Sequence, residues 1–281
     1  MQHHEFSLKS RHRNRKFLAD IRLVKNGNAK PVIIFNHGFK GFKDWGPFNL
    51  VSAYFARMGF AFIKMNFSHN GTTPERPDEF ADLEAFGNNN LMIELDDTAL
   101  LMEYLMAGKL PVDARELDLS RIYQIGHSRG GAHTILNAWK DDRIKKIVTW
   151  AAVNNLQVWH STDELEAWKN EGVIYIHNSR THQDMPLYYQ LVENYIHNRE
   201  RLSVSQAVKE LKIPLKAFHG KEDKTVPLQA AQQMKSWNPS IEIEIVEGAD
   251  HVFGASHPFA SDQLPIHLRY IADRTIEFLT N

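Results

Sequence analysis

Residues 121–139 read RIYQIGHSRGGAHTILNAW. A short apolar run of strand character ends at Gly126, and a segment of helical character begins just after Gly130. Ser128 stands at the junction, with a glycine two residues before it and another two residues after. A strand that turns straight into a helix crowds those two flanking positions, so they require glycine. The turn presents the serine hydroxyl at the strand's C-terminal end, beside a helix N-terminus whose free amides favour developing negative charge. In sequence and in context, G-H-S-R-G fits a nucleophile elbow. Taken alone, the pentapeptide fits a glycine-rich turn with a capping serine, or a phosphate-binding loop, about as well. The chain carries neither G-x-x-x-x-G-K-[ST] nor G-x-G-x-x-G, which argues against the nucleotide-binding form.

Around this stretch, short apolar strand-like runs alternate with segments of helical period. The strands are read at EFSLKS, KFLADIRLV, PVIIFNH, FAFIKMNF, RIYQIGH, IKKIVTWAA, PLKAFHG and IEIEIVEG. Helices are expected at PFNLVSAYFARMG, NLMIELDDTALLMEYLMAG, the stretch after Ser128, LQAAQQMKSW and PIHLRYIADRTIEFL. In the second of these, Leu91, Leu95, Met102 and Met106 recur at helical spacing and are expected to face the sheet. The pattern predicts an α/β fold, a mostly parallel eight-stranded sheet with helices on both faces, opened by an antiparallel hairpin at one edge. Roughly sixty residues separate the sixth strand from the seventh, far beyond the usual connection. We therefore expect a core over 1–152 and 212–281 and an inserted cap over 153–211, with VIYIHNS entering a small hairpin.

A serine hydroxyl is a weak nucleophile until a base takes its proton and a third group orients that base. HGKEDKTVP follows the seventh strand and GADHVF follows the eighth, placing Asp223 and His251 at successive strand ends. Each has an ordinary alternative, Asp223 as a helix cap and His251 as a loop histidine. The order Ser128, Asp223, His251 after three strand ends favours a triad over both. Glu222 and Asp250 are adjacent and rank lower, because a neighbour in a tight loop points elsewhere. Two backbone donors are still needed for the oxyanion. NHGFKGFKDW follows the third strand, and the donors are expected to be the amides of Phe39 and Arg129. His37 in that loop reads as a structural hydrogen-bonder, and with Gly38 and Trp45 it is also counted at the substrate's edge. Of the insertion's aromatics Trp159, Trp168, Tyr175, Tyr188 and Tyr189, the last three are expected to contact substrate.

With NHGFKG, GHSRGGA, HGKEDKTVP and GADHVF in place, the chain resembles the α/β-hydrolase superfamily over nearly its whole length. Within it, the dienelactone-hydrolase, serine-aminopeptidase and cinnamoyl or feruloyl esterase-like branches are the most similar. The resemblance implies that fold, the triad roles and the oxyanion hole on the positions just named. The chain departs from the pattern in two places. Dienelactone hydrolases proper use a cysteine nucleophile, and this chain has no cysteine. MNFSHNGTTP replaces the Arg-Gly-x-Gly turn of relatives.

The expected activity is serine hydrolysis of carboxylic esters of small acyl or aromatic acids. Peptide hydrolysis, acyl transfer on the same triad and a non-catalytic binding role are the alternatives. An aminopeptidase needs acids to hold the substrate ammonium. Asp163, Glu164 and Glu166 could serve, although their spacing reads first as a helix start. Lys+Arg number 33 against Asp+Glu 34, so no net field draws the chain to nucleic acid or an anionic membrane. No run approaches the about 20 apolar residues of a bilayer span, and MQHHEFSLKS lacks a secretion signal's apolar centre. The expectations are a small-molecule partner, no cofactor, no metal and a cytoplasmic location. Self-association as a homodimer stays open.

Overall fold

The apolar runs and amphipathic segments resolve into ten strands and nine α-helices in a computed structural model that describes residues 1–281. The first half holds β1 (Gln2–Lys9), β2 (Lys16–Leu23), β3 (Lys30–Asn36), α1 (Phe48–Arg57), β4 (Ala61–Met65), α2 (Leu83–Gly87), α3 (Leu91–Met106), β5 (Leu117–His127), α4 (Arg129–Lys140) and β6 (Ile144–Trp150). The inserted stretch follows with α5 (Thr162–Glu171), β7 (Val173–Asn178), β8 (Gln183–Tyr188), α6 (Gln190–His197) and α7 (Val204–Glu210). The chain closes with β9 (Leu215–Gly220), α8 (Gln229–Trp237), β10 (Glu242–Val246) and α9 (Ile266–Thr280).

Eight strands form one sheet in the order β1-β2-β4-β3-β5-β6-β9-β10. The sheet is mixed. β1 pairs antiparallel with β2 as the expected edge hairpin, β2 is also antiparallel to β4, and every pairing from β4 onward is parallel. The central strands β3, β4 and β9 are buried along almost their whole length, as strands covered on both faces must be. α1 packs against α9 on one side, while α3 and α7 pack against α4 and α7 against α8 on the other. All parallel strands point their C-terminal ends the same way, and the loops leaving β3, β5, β9 and β10 therefore gather at one edge.

Along α3, Leu91, Leu95 and Met102 are buried as the spacing predicts. Met106 is not; it lies in the last turn at 41% exposure, where Leu105 instead takes the buried face. The insertion contains the expected hairpin, β7 antiparallel to β8. Its helix α5 starts at Ser161, whose side chain accepts from the Glu164 amide, and ends at Gly172 in the left-handed region. Trp168 is fully buried, with its indole N–H donating to the Leu187 carbonyl at 2.9 Å. One continuous core cluster of 69 residues includes Trp168, Met185, Leu187 and Val192 with the residues of the sheet, so the hairpin is packed onto the body. α7, late in the insertion, packs with α4 and α8 on the body. No helix is long and apolar enough to cross a membrane.

Candidate active site

Ser128 sits between β5 and α4 with φ 56° and ψ −122°, a backbone state that side chains other than glycine rarely adopt. Two glycines make the turn sterically feasible. A Cβ on Gly126 would lie 2.1 Å from the Gly130 carbonyl oxygen, and one on Gly130 would lie 2.2 Å from the Asn36 carbonyl oxygen. The Ser128 amide donates to Trp150 on β6 at 2.9 Å, and its carbonyl accepts from Gly131 at 3.0 Å, which pins the strained residue from both sides.

Asp223 lies in the turn after β9. Its Oδ1 accepts from the amides of Thr225 and Val226, each at 2.8 Å, and its Oδ2 accepts from His251 Nδ1 at 2.8 Å. Burial opposes the charge on Asp223. The bonds from His251 and from the two amides outweigh it, holding the carboxyl below the usual range. With Nδ1–H committed to Asp223, the other ring nitrogen of His251 is left as the proton acceptor. A second contact steadies the loop, where His127 Nε2 donates to the His251 carbonyl at 2.9 Å with the two rings 4.9 Å apart. Burial pushes the His127 imidazole down to about 3, so it remains a neutral, one-donor ring. Asp250 is spent on its own turn, accepting from the Val252 and Gly254 amides. Glu222 is exposed.

The loop after β3 closes over the serine. A Cβ on Gly38 would be 3.0 Å from Ser128 Cβ, so the two segments are in direct contact. The amides of Phe39 and Arg129 have no hydrogen-bond partner within the chain. Side chains brace this loop from below: Asn66 Oδ1 accepts from the Lys43 amide at 2.7 Å, and Asn70 Nδ2 donates to the Gly41 carbonyl at 3.2 Å. These asparagines come from the MNFSHNGTTP segment, and both are buried. The Arg129 guanidinium stacks 4.3 Å over the Phe39 ring and donates to buried Glu94 on α3, whose carboxyl burial raises.

Ser128, His251, Gly38, Phe39, Arg129 and Trp45 all line one cavity of about 620 Å³. Four of the expected substrate contacts lie elsewhere. His37 is buried beneath the loop with its Nδ1 bonded to the Gly38 carbonyl, and burial pushes its imidazole down to about 4. Tyr175 points to solvent at 64% exposure, because the pleat of β7 turns Ile174 and Ile176 into the cavity instead. Tyr188 bonds Glu84 through its hydroxyl and lays its ring over Gly87. Tyr189 packs on Trp168. Of the acids considered for a substrate ammonium only Glu164 lines the cavity, and the cavity residues that the sequence did not reveal include Lys40 and Arg180.

The model of the prolyl oligopeptidase family matches residues 47–273. The chain belongs to the prolyl oligopeptidase family. The matched span contains Ser128, Asp223 and His251 and begins after Phe39. No curated protein matches this family member. Among solved structures, it is similar to Est1E from Butyrivibrio proteoclasticus bound to ferulic acid, with 17% identity, 98% of each chain covered and a TM-score of 0.72. The esterase domain of a Rhodothermus marinus protein shares 16% identity over 99% of this chain and 98% of that one, with a TM-score of 0.65. The Pyrococcus horikoshii acylaminoacyl peptidase shares 19% over 100% of this chain but 42% of its own, with a TM-score of 0.64. These likenesses show the α/β-hydrolase fold, and family membership makes the chain a serine hydrolase.

Proposed function

We propose that this family member hydrolyses carboxylic esters of small acyl or aromatic acids through an acyl-enzyme on Ser128. His251 takes the Ser128 proton as Oγ attacks the ester carbonyl, and the Asp223 carboxylate stabilises the resulting imidazolium. The tetrahedral oxyanion is received by the free amides of Phe39 and Arg129. His251 then gives the proton to the departing alcohol, and water repeats the sequence to release the acid.

The observation that carries this reading is a single cavity lined by Ser128, His251 and the oxyanion loop, with Asp223 bonded behind the histidine. One wall is aliphatic, with Leu156, Val158, Ile174, Ile176 and Leu187 among its residues, which suits a hydrophobic acyl group. Its one aspartate or glutamate, Glu164, is spent on the start of α5, accepting from the His160 amide at 2.8 Å. Asp163 and Glu166 are outside the lining, so no acidic pair stands ready for a substrate ammonium. Peptide hydrolysis remains the second reading because the family match favours it.

The test is a panel of aryl and alkyl esters beside aminoacyl amides, with fluorophosphonate labelling read by intact mass. Ester turnover exceeding amide turnover, with labelling and hydrolysis both lost in Ser128→Ala, is expected. Wild-type labelling of Ser128→Ala refutes the nucleophile, and faster amide turnover refutes the ester preference.

A further inference from the structure

Three basic side chains and one acidic one line the catalytic cavity: Lys40, Arg129, Arg180 and Glu164. Arg129 is neutralised by Glu94, and Glu164 is committed to its helix start. Lys40 and Arg180 are left. Lys40 directly follows the oxyanion donor Phe39, and Arg180 is in the turn of the β7–β8 hairpin, 140 positions away along the chain. The fold nevertheless brings them together, because the Arg180 guanidinium donates to the Lys40 backbone carbonyl at 2.8 Å and lies 5.4 Å over the Trp45 ring.

The exposed Arg180 guanidinium is near enough to disfavour the charge on the Lys40 side chain, and neither cation forms an ion pair with an acid of the chain. Burial lowers the pKa of both side chains, and the neighbouring guanidinium lowers that of Lys40 further. Only one guanidinium N–H set is used on the carbonyl. The remaining donors keep the planar fork that matches a carboxylate.

We propose that Lys40 and Arg180 form an anion subsite, so that the ester substrate carries a carboxylate a few bonds from the scissile carbonyl. This rests on the ester-hydrolase reading of the same cavity. The bound carboxylate neutralises both cations and ties the hairpin to the oxyanion loop through the substrate itself. The aliphatic wall then holds the part of the substrate between the ester and the charge. Arg180 acts on specificity, since it contacts the substrate away from the reacting atoms.

The experiment compares each anionic ester with its own methyl ester, which keeps the skeleton and removes the charge. For the acyl side, the probes are mono-p-nitrophenyl adipate and suberate. For the alcohol side, the probe is the hexanoate ester of 3-(4-hydroxyphenyl)propionate. In at least one arm, kcat/KM is expected to favour the carboxylate by about tenfold, or about 1.4 kcal/mol. The preference should shrink with added salt. In Lys40→Gln/Arg180→Gln it should fall to about one, and Arg180→Lys, which keeps the charge and loses the fork, should retain part of it. Absence of a preference in both arms overturns the proposal. So does a preference that survives the double substitution, or an equal loss on charged and neutral esters, which marks Arg180 as a tether only. Failure of the underlying reading looks different: Ser128→Ala would still hydrolyse the neutral methyl esters.

Discussion

Replacing Ser128 by glycine should destroy activity and strengthen the fold at once. At φ 56° and ψ −122° a residue with a Cβ carries strain of about 1–3 kcal/mol, whereas glycine enters this region freely. Glycine also loosens the unfolded chain, at a cost of about 0.5–1 kcal/mol. The backbone bonds to Trp150 and Gly131 are untouched by the change. The net gain is then about 0–2.5 kcal/mol, centred near 1, which for a chain of this size corresponds to a Tm rise of roughly 2 °C at the centre and about 4 °C at most. Ser128→Ala is the control, because it removes the same hydroxyl and keeps the strain; it should stay within about 0.5 kcal/mol of wild type. Urea unfolding and calorimetry on all three proteins give the comparison. If the glycine variant is no more stable than the alanine variant, the elbow holds no strain and the reasoning fails.

Asp223→Asn should lower kcat by about four orders of magnitude with the fold intact, since the imidazole loses its orienting acceptor, while Glu222→Gln stays near normal; reversal of the two outcomes would move the acid to Glu222. The buried imidazole of His37 titrates at about 4 in the folded chain and near 6.5 when unfolded. The unfolded state therefore binds the extra proton first, and stability is lost as pH falls below about 6.5, by about 2 kcal/mol from this group at pH 5. In His37→Gln the fall in urea midpoint between pH 7 and pH 5 should shrink by that amount, and an unchanged fall would contradict the assignment.

The sheet was readable because its eight strands are apolar or alternating runs bounded by turn residues, and Ser128, Asp223 and His251 could be placed because each follows a strand end. β8 was harder to see. Its sequence QDMPLY contains Pro186, a residue that a two-stranded edge hairpin tolerates and that reads as a break. The aromatic residues misled for another reason, since ring chemistry says nothing about which way a side chain points. The alternation in VIYIHN did hold that information, with Ile174 and Ile176 on one face and Tyr175 on the other. Met106 continues the α3 stripe by spacing, yet Leu105 beside it fits the same apolar pattern and is the one the helix buries. Lys40 and Arg180 left no mark in the sequence, because their meeting depends on how the hairpin lands on the loop after β3.

The insertion leaves from β6 and returns into β9, and those two strands are direct neighbours with Ile147 opposite Leu215 and Trp150 opposite Phe218. Because the two strands are parallel, the segment leaves after Trp150 at one end of the pair and re-enters at Leu215 at the other, a crossover whose ends the sheet itself holds at a fixed separation. The entropy of closing such a loop grows only logarithmically, about 0.6 kcal/mol for each doubling of its length. The sheet is therefore nearly indifferent to how long this excursion is. On the proposed anion subsite, exchanging the hairpin around Arg180 redraws substrate choice while the backbone that strains Ser128 and orients His251 stays as it is.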